Sequence, residues 1–262
     1  MNVVIFIPAR MGSTRYPGKP LAAIPGASGI EKPLIQRSAE AAARAAGASK
    51  VVVLTDDESI QHACGGFGSE SLLTSGECRN GTERCAEALG SVADADLVIN
   101  FQGDALLTPP AYVEALIETM RDGPDLMVAT PAIRLRPEEI RDLQQEEASG
   151  RVGGTSVVVN DAGRALYFSK RLLPYLPKGR TDATVRQHIG VYAYRPDALR
   201  RYAETPVSEL EELEGLEQLR FLAAGISIKV VDVPPPPFTL RELNNPEDLP
   251  AIEAALAEAG LE

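Results

Sequence analysis

The chain has 262 residues, enough for one large α/β domain or two small ones with a sizeable buried core. Its formal net charge of −11 argues against non-specific binding to nucleic acid or to an anionic membrane surface, since both need positive surface. No run of about 18 apolar residues occurs, so no helical membrane span is expected. Cys64, Cys78 and Cys85 form neither a disulfide framework nor a CxxC pattern and read as small apolar residues in a reducing compartment.

MNVVIFIPAR opens the chain without a basic leader segment and reads as a first strand rather than a signal peptide. Continuous apolar runs at 3–7, 50–55 and 96–101 predict strands buried on both faces. They alternate with helical patterns at 34–46, 82–89 and 111–120, the order of βαβ units around a parallel sheet. Beyond these, segments at 125–133, 153–160, 164–170 and 188–195 alternate more and lie closer together, which predicts an antiparallel or mixed extension. NDAGR at 160–164 is a hairpin turn. Leu210, Leu213, Leu216, Leu219 and Leu222 predict one helix over 208–222, on which Glu214 and Glu217 would share a face. A strand at 227–233, an extended PPPP and a last helix announced by Asn245-Pro246-Glu247-Asp248 complete the chain. There is no internal repeat and no linker, so a single domain is expected, with 1–124 as the nucleotide half and 125–262 as the acceptor and dimerisation half.

In an open parallel sheet, ligands sit beyond the carboxyl ends of the strands. The loop after the first strand offers Arg10, Arg15 and Lys19 as charges, Ser13 and Thr14 as hydroxyls, and Gly12 and Gly18 where backbone amides can approach an anion. It matches neither GxGxxG nor GxxxxGK[ST], and a solvated basic loop with a Gly-Pro turn is the alternative reading. FQGDALLTPP at 101–110 puts Asp104 just after another buried strand, at the same edge. A carboxylate there suits Mg²⁺ arriving with a triphosphate, or else caps the next turn.

PAR-x-x-STR-x-PGKPL (8–21), TDDESI (55–60), NGTER (80–84), QGD (102–104), ALYFSK (165–170), HIGVYAYR (188–195), LEGLEQLR (213–220) and NNPEDL (244–249) together resemble the 3-deoxy-manno-octulosonate (Kdo) cytidylyltransferases. The motifs stand in that family's order over nearly the whole chain. The resemblance implies a nucleotide-diphospho-sugar transferase (Rossmann-like) α/β fold, with a mixed, mostly parallel central sheet and a smaller antiparallel extension. It also implies a cytoplasmic homodimer that uses CTP and Mg²⁺ and joins CMP to the anomeric hydroxyl of a 2-keto-3-deoxy sugar acid for lipopolysaccharide or capsule biosynthesis. By motif match, Arg10, Ser13 and Lys19 hold the triphosphate, Asn80, Gly81 and Arg84 face the nucleotide, and Gln102 and Asp104 lie at the α-phosphate and its metal. Lys170, His188, Tyr192, Glu214, Glu217 and Gln218 form the acceptor pocket. Arg10, Lys19 and Asp104 would carry the chemistry.

Three positions depart from the family pattern. Ala105 and Leu106 follow QGD in place of an acid and a proline, and Cys78-Arg79-Asn80-Gly81-Thr82 replaces a His-x-Ser-Gly-Thr run. Asn244 stands where a second metal carboxylate is usual. Its amide oxygen would be a neutral ligand for a hard cation, or Asn244 and Asn245 only cap the last helix. GASGIEKP at 26–33 is longer than the usual connection. The departures leave open another acceptor, such as a different ulosonic acid or a small phosphonate like phosphonoformate, and a nucleotide-binding protein without turnover is the rival from another class.

Overall fold

The computed structural model describes residues 1–12, 16–150, 152–177, 180, 183–238, 240, 243 and 245–262. The first half runs β1 (Val3–Ala9), β2 (Ala23–Pro25), β3 (Glu31–Pro33), α1 (Leu34–Ala43), β4 (Lys50–Thr55), α2 (Glu58–Gly66), β5 (Glu70–Leu73), α3 (Gly81–Glu87), β6 (Leu97–Phe101) and α4 (Pro110–Asp122). The second runs β7 (Val128–Arg134), α5 (Pro137–Ala148), β8 (Ser156–Val159), β9 (Ala165–Ser169), β10 (Arg186–His188), β11 (Val191–Tyr194), α6 (Pro196–Glu204), α7 (Glu209–Glu214), α8 (Leu219–Ala223), β12 (Ile228–Val233) and α9 (Leu249–Ala259).

Ten strands form one mixed sheet in the order β5-β4-β1-β6-β11-β7-β10-β8-β9, with β12 beside β7. β1 lies parallel between β4 and β6. It is apolar throughout because both its faces are covered: Val4 and Phe6 enter one core, and Val3, Ile5 and Ile7 the other. β11 pairs antiparallel with β6 and begins the extension. β10 and β11 both pair with β7, but between His188↔Ala132 and Ala193↔Ala129 five steps on their side oppose three on β7. That irregularity bends the strand at Ile189 and Gly190. The 160–164 turn forms as expected, with Asn160 Oδ1 accepting from the N–H groups of Ala162 and Arg164 and with Gly163 at φ +67°.

The helix expected over 208–222 is two helices. Gly215 adopts a left-handed conformation (φ +60°) that closes α7, and α8 starts only at Leu219. Glu214 therefore ends one helix and Glu217 sits in the turn between the two, so they do not share a helical face. The periodic leucines mislead because they do not share one buried face: Leu210 and Leu213 of α7 are exposed, whereas Leu219 of α8 is buried. Arg220 of α8 locks this pair: it donates to Glu211 Oε1 and Oε2 at 2.6 Å each and to Glu83 of α3 at 2.9 Å, and it lies 4.1 Å over the Tyr202 ring.

The 26–33 extension has a structural role. It is the turn of the β2–β3 hairpin, and it grips the far end of the chain. Ala27 N–H donates to the Leu261 carbonyl at 2.9 Å, and Ser28 donates from N–H and Oγ to the Glu262 carboxylate at 3.0 and 2.6 Å. Buried Arg37 holds the hairpin from below through the carbonyls of Ile24 and Ile30. The apolar cluster under it joins Ile24, Leu34, Leu106, Leu107, Leu243, Ile252 and Leu256.

Removing one partner of a buried ion pair strands the others in low dielectric. Arg220→Met is thus expected to lower the unfolding free energy by about 3–5 kcal/mol in urea titrations. Arg200→Ala, which breaks the exposed pair with Asp197, is expected to cost less than about 1 kcal/mol.

Candidate active site

Because β1 and β6 run parallel, the chain leaves both at one edge of the sheet, and their following loops face each other. Gly103 makes the approach possible: a Cβ there would lie 2.7 Å from the Pro8 carbonyl oxygen. The Gly103 carbonyl in turn accepts from Ser38 Oγ of α1 at 2.8 Å. Between the loops opens a cleft of about 330 Å³, lined by Arg10, Lys19, Asn80, Gly81, Arg84, Gln102 and Asp104 among others. All the described residues assigned to the nucleotide and to catalysis thus meet in one place. Ser13, Arg15 and Asn244 lie outside the described residues.

Lys19 Nζ donates to Asp104 Oδ2 at 2.6 Å, with both side chains less than one-fifth exposed. Arg10 is exposed and has no ion-pair partner among the described residues. Arg84 is buried, reaching Asp56 Oδ2 at 3.1 Å, the Ser75 carbonyl at 3.3 Å and Thr74 Oγ1. Its guanidinium is therefore a wall of the cleft, held by Asp56 of the TDDESI stretch. Asn80 caps α3: its Oδ1 accepts from the Glu83 N–H at 2.9 Å and its Nδ2 donates to Tyr202 Oη at 2.9 Å. The cap spends the side chain on the fold, and Glu217 Oε2 takes the Thr82 N–H at 3.2 Å, so that of the first turn of α3 Gly81 is what lines the cleft beside Arg84.

The residues expected at the acceptor fall into three groups. Glu214 accepts from Ser169 Oγ at 2.7 Å, Tyr167 Oη at 3.3 Å and the Lys170 N–H at 3.0 Å. Desolvation pushes its pKa up, but these hydrogen bonds outweigh that and hold it below the usual range. His188 and Tyr192 form the second group, with ring centroids 5.3 Å apart and Phe168 edge-on to His188 at 5.2 Å. Burial in this aromatic setting pushes the His188 pKa down to about 3, so the ring is neutral at physiological pH. Glu217 and Gln218 form the third. Glu217 accepts from the Thr82 N–H at 3.2 Å, and burial raises its pKa despite that bond. Gln218 is buried with Nε2 unpartnered among the described residues.

Two residues at the site were given no role from the sequence. Cys78 lines the cleft and donates to Glu87 Oε2 at 2.9 Å; burial, then Glu87, push its thiol up to about 12, which leaves it an unreactive wall. Asn100 of β6 is fully buried, with both amide atoms unpartnered among the described residues. It stands opposite Phe6 and Tyr192 in the sheet, and its Nδ2 lies 3.5 Å from where a Gly81 Cβ would be. An asparagine inside an apolar strand can be noticed in VINF, but nothing local says which way it points.

A family model described as cytidylyltransferase matches residues 4–228. The chain belongs to this family. It is 43% identical over 261 residues, 99% of both chains, to the 3-deoxy-manno-octulosonate cytidylyltransferase of Maricaulis maris. It is 40% identical over 260 residues, covering 98% of this chain and 99% of the other, to the 8-amino-3,8-dideoxy-manno-octulosonate cytidylyltransferase of Shewanella halifaxensis. Among solved structures, a CMP:2-keto-3-deoxy-manno-octonic acid synthetase complexed with CTP matches with a TM-score of 0.86 and 38% identity, over 99% of this chain and 100% of that one. The expected fold class, with its mixed sheet and antiparallel extension, is the one observed. No helix among the described residues is long and apolar enough to cross a membrane.

Gly103→Ala is expected to destabilise the cytidylyltransferase by about 1–3 kcal/mol, since Pro8 O is backbone and cannot swing away. Gly12→Ala, whose Cβ would meet nothing within 4 Å, is the control and should leave the urea midpoint nearly unchanged.

Proposed function

We propose that this cytidylyltransferase couples CTP to the anomeric hydroxyl of Kdo, giving the CMP-sugar and pyrophosphate. The observation that carries the reading is the convergence of Arg10, Lys19, Gln102 and Asp104 on one cleft at the sheet edge. In the reaction the acceptor hydroxyl oxygen bonds to the α-phosphorus and loses its proton to solvent, while the bond from that phosphorus to the β-phosphate bridging oxygen breaks and pyrophosphate leaves with the electron pair. Positioning and charge neutralisation supply most of the catalysis in such transfers.

Lys19 and Arg10, both lining the cleft, would neutralise the triphosphate. Mg²⁺ fits the donor set. Among the described residues there is no group of three or more His, Cys, Asp or Glu to cage a metal. A single carboxylate beside a phosphate loop suits an ion that keeps several waters and takes its remaining oxygens from phosphates. Asp104 would hold it, and the family pattern would make Asn244 a neutral second ligand. When bound, the ion withdraws charge from the triphosphate and the departing pyrophosphate. Lys170, Glu214, His188, Tyr192, Glu217 and Gln218 orient the acceptor, with neutral His188 acting as a hydrogen-bond partner rather than a charged acid.

Exposed Leu166, Tyr175 and Leu213 support a homodimer, and the reducing-type cysteine usage supports a cytoplasmic enzyme. A relative 40% identical that carries an amino-sugar name favours 8-amino-3,8-dideoxy-manno-octulosonate as the second acceptor reading. Pyrophosphate release with four nucleoside triphosphates against Kdo, its 8-amino analogue and phosphonoformate decides among them. Release is expected with CTP alone and with the highest kcat/KM for Kdo, and Lys19→Ala is expected to lose at least about 100-fold. CTP binding without release for any acceptor would contradict the enzyme reading.

A further inference from the structure

Thr130 sits at the centre of β7, fully buried, and its hydroxyl oxygen touches three groups at once. It lies 2.8 Å from the Val191 carbonyl oxygen, 3.3 Å from that of Ile189 and 3.0 Å from His188 Nε2. A hydroxyl has one proton to give. The two carbonyl oxygens can only accept, and the Ile189 carbonyl is already satisfied by the Val191 N–H at 2.7 Å. If the Thr130 proton pointed at His188, its oxygen would face the Val191 oxygen at 2.8 Å with no hydrogen between two sets of lone pairs. The proton therefore lies toward Val191, and the Thr130 oxygen has only lone pairs to offer the imidazole.

We propose that Thr130 is a positioning residue that holds His188 in the Nε2–H tautomer, so that Nδ1 is presented to the acceptor substrate as a hydrogen-bond acceptor for one of its hydroxyls. A neutral ring has one donor and one acceptor nitrogen, and what one nitrogen bonds determines what the other can do. Phe168 and Tyr192 frame the ring and hold its plane. No group among the described residues hydrogen-bonds Nδ1. His188 faces Ala132, two residues from Thr130 on the same face of β7, and the irregularity that follows it at Ile189 and Gly190 lies where the two carbonyls meet this hydroxyl. The substrate half of this inference rests on placing His188 at the acceptor; the tautomer half does not.

The chain has two histidines, His62 and His188, so long-range ¹H–¹⁵N spectra of ¹⁵N-histidine-labelled, ligand-free protein can be assigned with one variant, His62→Gln. The expected spectrum has the proton of His188 on Nε2 and an unprotonated Nδ1 at neutral pH. Thr130→Val keeps shape but removes the lone pairs: a mixture of tautomers is expected, with the acceptor KM up about tenfold, the worth of one hydrogen bond, and the KM for CTP unchanged. Thr130→Ser should restore both. A wild-type spectrum with the proton on Nδ1 overturns the inference even if no variant folds, as does a Thr130→Val protein with native tautomer and native acceptor KM. The expected spectrum from a protein that releases no pyrophosphate with any acceptor would uphold the tautomer and sink the functional reading instead.

Discussion

A cation and a carboxylate 85 positions apart meet at 2.6 Å because two parallel strands end at the same edge of one sheet. The rest of the site is arranged around the Lys19–Asp104 contact. Gly103 allows the two loops to close, Ser38 holds the carbonyl between Gln102 and Asp104, and the apolar cluster beneath fixes Leu106 and Leu107 just beyond. In the ligand-free protein each charge satisfies the other. Under the proposed function a metal triphosphate would offer both a better partner, phosphate for the lysine and a divalent ion for the aspartate, and the pair would be a resting arrangement that substrate separates.

The acceptor side is tied to this edge by polar contacts rather than by the sheet alone. Asn80 caps α3 and bonds Tyr202, Tyr202 lies under Arg220, and Arg220 joins Glu83 of α3 to Glu211 of α7. Glu217 closes the circuit at the Thr82 N–H. The helix whose N-terminus opens on the cleft is thus held by the same groups that shape the turn carrying Glu217 and Gln218. Asn100 stands between the two sides with its amide unpartnered among the described residues, opposite Tyr192 and behind Gly81.

The parallel half of the fold was legible in the sequence because its signal is local. KVVVLT is β4 from end to end, and a strand buried on both faces has no polar residue to blur it. Two of the cleft's loops were legible for the same reason, since Arg10 and Lys19 follow β1 and Gln102 and Asp104 follow β6, whereas Asn80, Gly81 and Arg84 come after the edge strand β5 and were reached only through the family pattern. Two features were not. The leucines of 208–222 keep helical spacing across Gly215, so periodicity joined two helices that a left-handed glycine separates. The contact between Thr130 and His188, 58 positions apart, depends on the pairing of β10 with β7, which no short stretch encodes. Thr130 reads in VATPAI as an ordinary β-branched residue.

The Lys19–Asp104 contact is tested most directly by calorimetric titration of CTP into wild-type protein and Asp104→Asn, each with and without Mg²⁺. Without the ion, Asp104→Asn should bind CTP more tightly than wild type, because Lys19 is released from its carboxylate and one negative charge leaves the cleft. With the ion, the gain in affinity seen for wild type should be lost in the variant. Weaker metal-free binding by Asp104→Asn, together with a full Mg²⁺ response, would contradict a carboxylate that pairs with Lys19 at rest and with the metal during turnover.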